Sequence, residues 1–258
     1  MLFHLLYPLH SSGTALGVFN VFKYITFRTF GASITAVLLC MLIGPSYIAF
    51  LQRKQMGQAI RDDGPKSHLA KKGTPTMGGG LMLLGITIAT LLWADLTNKH
   101  IWVALLTTLG CGVIGYVDDY KKVVQKNSKG LSAAQKVISQ CLIGLIAGTA
   151  IYVLRDTPAV LKFPFFKDWA LDLGVLFIPF AAFVIVGSSN AVNLTDGLDG
   201  LAVGPTITTS ATFLILAYCA GNVKIAEYLQ IPYVPGSGEL AIFSGAVAAS
   251  CLGVLWFN

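Results

Sequence analysis

The sequence predicts an all-α, polytopic integral membrane protein, and three observations carry that reading. The chain is 55% hydrophobic and only 12% charged, with a mean hydropathy of +0.70, far from soluble averages. Its apolar residues gather into seven runs, about 25–51, 77–95, 101–118, 133–154, 173–189, 200–220 and 239–257. Most are near the roughly 20 residues that cross a bilayer. The runs are also continuous rather than alternating, so helices satisfy their backbone groups where a β-barrel strand pattern does not.

The elements follow in order. Residues 1–22 begin apolar, but the first Lys or Arg is Lys23, so the charged start of a targeting peptide is missing. The five cysteines (Cys40, Cys111, Cys141, Cys219 and Cys251) lie at scattered spacing inside the runs, the pattern of small buried hydrophobes rather than of disulfides or a zinc cluster. The whole of 1–258 reads as a single transmembrane domain.

Basic residues set the orientation. The loop after the first run holds Arg53, Lys54, Arg61, Lys66, Lys71 and Lys72, and the loop after the third holds Lys121, Lys122, Lys126 and Lys129. The alternate loops hold far fewer. The positive-inside rule then puts the N-terminus outside and the first, third and fifth inter-run loops in the cytoplasm.

Acidic residues at run ends are costly in lipid and mark function by default. Asp118 and Asp119 close the third run, Asp196 and Asp199 open the sixth, and Asp95 is a weaker fifth. Both Asp pairs fall on the expected cytoplasmic face, although they took no part in the orientation count. Adjacent carboxylates on a helix point about 100° apart, so Asp118 and Asp119 can serve different partners, one a magnesium ion and the other a proton. An acidic helix end paired with Lys121 or Lys122 is the plainer explanation. In the fifth loop, Asn193 and Asp196 resemble a capping box, with Thr195 as a competing cap. Asp196 and Asp199 are three apart and share a helix face. In the first loop, Lys71-Lys72-Gly73-Thr74-Pro75-Thr76-Met77-Gly78-Gly79 suits close backbone approach to a phosphate, or simply a turn before a close-packed helix.

The strings Asp118-Asp119-x-x-Lys122, Asn193-Leu194-Thr195-Asp196-Gly197-Leu198-Asp199-Gly200 and Gly73-Thr74-Pro75-Thr76-Met77-Gly78-Gly79 resemble the phospho-N-acetylmuramoyl-pentapeptide-transferase family. Its superfamily comprises the polyprenyl-phosphate N-acetylhexosamine-1-phosphate transferases. The likeness continues through Arg61-x-Asp63-Gly64-Pro65-x-Ser67-His68 and Pro164-Phe165-Phe166-Lys167. It implies a magnesium-dependent transfer of phospho-MurNAc-pentapeptide from its UDP carrier to undecaprenyl phosphate, giving lipid I and UMP in peptidoglycan synthesis. By motif position, Asp118 would be the base on the lipid phosphate and Asp119 would sit beside Mg2+. Lys122 and Lys136 would steady phosphates, Lys71 and Thr76 would line the nucleotide site, and Asn193 with Asp196 would meet the uridine. Gly197, Leu198 and Asp199 would complete that substrate cleft.

The same resemblance implies a bacterial inner-membrane location, a cytoplasmic active face and contact with membrane lipid. It leaves a homodimer open, and no nucleic-acid partner is expected. The family continues beyond this chain with another acidic ligand and a His-rich loop, and none of His4, His10, His68 and His100 falls in such a motif. The expectation is therefore a chain incomplete at its C-terminus and short of full activity. A polyprenyl-phosphate GlcNAc-1-phosphate transferase is the nearest alternative. A cation-binding transporter is the alternative of another class, and it predicts acids near the bilayer midplane and internal repeats.

Overall fold

The computed structural model describes residues 1–10, 15–53, 78–123, 130–163, 166–195 and 201–257. All seven apolar runs are helices. They are α2 (Ile25–Arg53), α3 (Gly79–Trp93), α4 (Lys99–Val123), α5 (Ala133–Leu154), α6 (Phe177–Thr195), α7 (Val203–Ala220) and α9 (Leu240–Leu255). Two short helices, α1 (Leu2–Leu6) and α8 (Val223–Leu229), accompany them. Among the described residues six helices are long and apolar enough to cross a membrane, and Gly79–Trp93 is a shorter apolar helix. At 1.5 Å per residue the 15 residues of α3 reach roughly 22 Å, short of a ~30 Å hydrocarbon layer. About seven membrane helices were expected; among the described residues six meet the length and composition of a span, and the remaining apolar run forms this shorter helix.

Small residues let the central helices approach closely. Ala32 and Ala36 of α2, Ala89 of α3, and Ile242, Ala246 and Ala249 of α9 form the buried core with Ala94 and Ile101. A side chain at Gly31 would collide with the Trp93 ring, whose Nε1 donates to Thr35 Oγ1 at 2.9 Å. Lipid offers no hydrophobic drive between helices, so this close van der Waals fit holds the bundle instead. Of the spans, α9 is the most enclosed.

The helices alternate direction, and contacts sort their ends into two groups. At one end, Arg28 donates to Glu239 through Nη1 at 2.7 Å and Nη2 at 2.5 Å. Glu239 Oε2 also accepts from the Asp95 backbone amide at 2.9 Å, and His4 meets Asp95 Oδ1 at 2.9 Å. Lys99 pairs with Asp156 at 2.7 Å. Between α5 and α6, at this same end, stands a hairpin that composition alone did not reveal, β1 (Val160–Phe163) against β2 (Phe166–Asp172). The opposite end carries Asp118, Asp119, Lys122, Lys136 and Asn193.

Candidate active site around Asp118

Two helices and the turn between them build the described part of the site. The α4 helix runs past its apolar run to Val123, so the acids lie inside its final turns rather than beyond its end. Lys121 and Lys122 stand in the last turn, where a cation complements the helix dipole. The chain re-enters helix at Ser132, which caps α5. Its hydroxyl accepts from the Gln135 amide at 3.2 Å, and the Gln135 side chain accepts in return from the Ser132 amide at 3.2 Å, a full capping box.

Asp118 is the hub. It is only 5% exposed, and three donors converge on its carboxylate. Lys122 Nζ lies 2.6 Å and Lys136 Nζ 2.7 Å from Oδ2, while the Leu131 amide donates to Oδ1 at 2.8 Å. Gly130 makes the last contact possible. It sits at φ +61°, and a Cβ there would stand 2.5 Å from Asp118 Oδ1 and 2.9 Å from Lys122 Cε, so only glycine fits without displacement. The Asp118–Lys122 pair is the local helix-end contact that the plainer reading foresaw. Lys136 is not local: it comes from the first turn of another helix, where the dipole disfavours a cation. Its position is supported by the ion pair with Asp118.

Asp119 points elsewhere, as adjacent helix positions require. Its side chain is 40% exposed and its Oδ1 lies 4.0 Å from Lys122 Nζ. The site end therefore presents one buried carboxylate holding two ammonium groups and one partly exposed carboxylate beside them. Among the described residues no group of three His, Cys, Asp or Glu could hold a metal. Magnesium takes one or two carboxylates together with substrate phosphates, and Asp119 is the partly exposed carboxylate beside Lys122.

Asn193 is exposed near the end of α6. The expected cap is corrected here. Thr195 closes α6 with its hydroxyl donating back to the Ala191 carbonyl at 2.8 Å, and α7 begins after Ala202 with no side-chain cap. The polar Asn193–Thr195 stretch thus continues the preceding helix rather than opening the next. Lys71, Thr76, Asp196, Gly197, Leu198 and Asp199 lie outside the described residues.

Sequence reasoning missed a polar ladder one turn deeper. Gln140 Nε2 donates to Ser189 Oγ at 3.1 Å, and Asn190 Nδ2 donates to Gln140 Oε1 at 2.8 Å. A glutamine inside the apolar run 133–154 was the available signal. A groove of about 510 Å³ between α4 and α5, lined by Trp102, Leu106 and Ile146, lies toward Lys99. It is apolar and stands away from the acids, so its size does not compete with their chemistry.

Comparison with known proteins gives the family. Residues 101–258 fit the family described as glycosyl transferase family 4. The whole chain aligns at 55% identity with the phospho-N-acetylmuramoyl-pentapeptide-transferase of Desulfotalea psychrophila, covering 71% of that protein. The enzymes of the same name from Citrifermentans bemidjiense and Syntrophus aciditrophicus align at 56% and 51% over all 258 residues, again covering 71% of each. Identity at this level along the whole chain places it in the phospho-N-acetylmuramoyl-pentapeptide-transferase family.

Proposed function

We propose that the protein transfers phospho-MurNAc-pentapeptide from its UDP carrier to undecaprenyl phosphate, at the cytoplasmic face of a bacterial inner membrane. An oxygen of the lipid phosphate attacks the sugar-bearing phosphorus of the UDP-sugar. The bond from that phosphorus to the UMP oxygen breaks, and the products are lipid I and UMP. The observation that carries this reading is the pairing of Lys122 and Lys136 on Asp118. Two ammonium groups gathered from two helices form a counter-charge suited to phosphate, placed where the Lys/Arg asymmetry puts the cytoplasm.

Roles follow from the contacts. Lys122 and Lys136 offset the charge of the converging phosphates, and Asp118 keeps them together. A base needs an oxygen open to the proton it takes, and three donors already cover the two oxygens of Asp118. A phosphate monoester has its second pKa near 6, so most of the lipid phosphate needs no deprotonation at neutral pH. Asp118 acts as base only as the entering phosphate draws an ammonium away from it. Asp119 is the residue to hold Mg2+, which when bound supplies Lewis-acid neutralisation of the pyrophosphate. Asn193 and Asp196 meet the uridine, while Lys71, Thr76, Gly197, Leu198 and Asp199 line the rest of the substrate cleft. Residues 1–258 act as a single transmembrane domain with the N-terminus outside.

The test is UMP release by the purified chain in lipid nanodiscs, with UDP-MurNAc-pentapeptide and undecaprenyl phosphate, in Mg2+ and then in excess EDTA. Release that needs both substrates and stops in EDTA is expected, at a rate below that of a full-length relative. Turnover of UDP-GlcNAc in place of the muramoyl substrate would reassign the chain to the sister activity. Failure with both sugars would remove the transferase role from this chain.

A further inference from the structure

The α5 and α6 helices carry Lys136 and Asn193 to the same end of the molecule, and the contact between them has two distinct parts. Toward the Arg28 end it is smooth. A Cβ on Gly144 would stand 2.9 Å from the Ala182 backbone, and one on Gly148 2.8 Å from the Ile178 carbonyl oxygen, so the two backbones lie nearly in contact. Small apolar surfaces of this kind give closeness but little register, because sliding by part of a turn replaces one set of small contacts with another. Toward the site the contact is polar. Gln140 is 7% exposed, its Nε2 donates to Ser189 Oγ, and its Oε1 accepts from Asn190 Nδ2. Asn190 Nδ2 also donates to the Val186 carbonyl of its own helix at 2.8 Å, which fixes the Asn190 rotamer.

These groups sit directly behind the site. Gln140 is four residues from Lys136 on α5 and Asn190 is three from Asn193 on α6. Each polar anchor therefore lies about one helical turn, roughly 4.5–6 Å along the axis, from the residue it backs. Gln140, Gly144 and Gly148, spaced four apart on α5, all meet α6, while Lys136, one turn before Gln140, reaches Asp118 of α4. A carboxamide in this position has one pairing that satisfies both its donor and its acceptor. A slip of one helix on the other leaves both unsatisfied in a low-dielectric surrounding. A single buried amide fixes register in coiled coils in the same manner.

We infer that Gln140 is a positioning residue: its bonds to Ser189 and Asn190 lock the height and rotation of α5 against α6, and so set Lys136 against Asn193. The link to turnover rests on the transferase reading above; the register itself does not. If Lys136 serves the phosphates and Asn193 the uridine of one UDP-sugar, this register sets the distance between the two ends of that substrate. A misplacement of about 1 Å at such a site costs on the order of 10²-fold in rate.

The test pairs a distance with a rate. Spin labels replace exposed Ala134 of α5 and Ala191 of α6 in a background whose five cysteines are alanine. Their distance distribution is measured in nanodiscs for the parent and for Gln140→Leu, which fills similar volume without polar atoms. Gln140→Leu is expected to broaden or split the distribution and to lower kcat for UMP release by at least tenfold. The melting temperature should move little, since the apolar packing of α5 on α6 remains. Gln140→Glu keeps the oxygen that Asn190 donates to, and should recover most of the narrow distribution. An unchanged distribution in Gln140→Leu overturns the register role. A broadened distribution with unchanged kcat overturns its connection to catalysis. Absence of UMP release from the parent refutes the transferase reading instead, and the distance comparison still decides the register.

Discussion

Replacing Gly130 with alanine tests the hub through a residue that carries no functional group. Two costs can be worked out. At φ +61° an L-residue other than glycine sits in the left-handed region, which costs about 1–2 kcal/mol. The new Cβ would lie 2.5 Å from Asp118 Oδ1, where ordinary contact begins at 3.4 Å, so the carboxylate must retreat by roughly 0.9 Å (3.4 less 2.5). Retreat breaks the 2.8 Å bond from the Leu131 amide, and a hydrogen bond to a charged group contributes about 1.5–3 kcal/mol. Together Gly130→Ala should cost on the order of 2.5–5 kcal/mol around the turn. It should also carry Lys122 and Lys136 out of place, lowering UMP release about 10²-fold. Gly130→Asn separates the two costs. Asparagine tolerates the left-handed conformation but brings the same Cβ, so it should recover part of the lost melting temperature and little of the lost rate. Thermal unfolding in detergent and UMP release measure the two quantities. Gly130→Ala with a melting temperature within 2 °C and a rate within twofold of the parent would refute the hub as drawn.

Four further outcomes are expected. Asp118→Asn should release Lys122 and Lys136 and lower the rate by on the order of 10²–10³-fold while UDP-sugar binding, measured by calorimetry, survives; lost binding would move Asp118 into the nucleotide site. Asp119→Asn should raise the Mg2+ concentration needed for half-maximal rate, and an unchanged Mg2+ titration would remove Asp119 as the metal residue. Glu239→Gln leaves the Arg28 charge poorly compensated, at a cost of about 3–5 kcal/mol; Arg28→Met with Glu239→Leu should recover most of it in thermal unfolding, and a double variant no better than the single one would contradict the pairing. Burial pushes the Asp95 carboxyl up, but the Thr97 hydroxyl and amide and the nearby His4 outweigh it, so its pKa falls below the ordinary value. A lowered carboxyl pKa gives stability that is full above the unfolded value near 3.9 and lost as pH falls through the folded one. Melting below pH 4 should therefore fall less steeply in Asp95→Asn, and an equal fall would rule this contribution out.

The seven apolar runs were readable because each is one helix, and lipid forces a continuous run into that form. Their polar margins were harder to assign. Asp118, Asp119, Lys121 and Lys122 end the hydropathy signal but not α4, since an i,i+4 ion pair and a favourable dipole keep the turn helical. Asn193 and Thr195 looked like the start of a helix because capping chemistry is local, yet the Thr195 hydroxyl turned back onto Ala191. Asp118 and its neighbour Lys122 could be read from spacing. That Lys136 and the Leu131 amide would meet the same carboxylate could not, because a tertiary approach across a turn has no periodic signature. The hairpin Val160–Asp172 was hidden for a similar reason, its strands being only four and seven residues long.

The Arg28–Glu239 pair has a consequence for how the chain is made. Its members are 211 residues apart, and at about 5–20 residues per second a ribosome needs roughly 10–40 s to travel from one to the other. During that interval α2 is already synthesised while its buried guanidinium has no carboxylate to meet. Such a side chain can hold its head at the water interface while its stem lies along the helix. The Arg28 end of α2 must therefore stay near the surface until α9 arrives. Closure of the central bundle is then a late event in biogenesis, and the membrane holds a loosely joined α2 and α3 before it holds the protein.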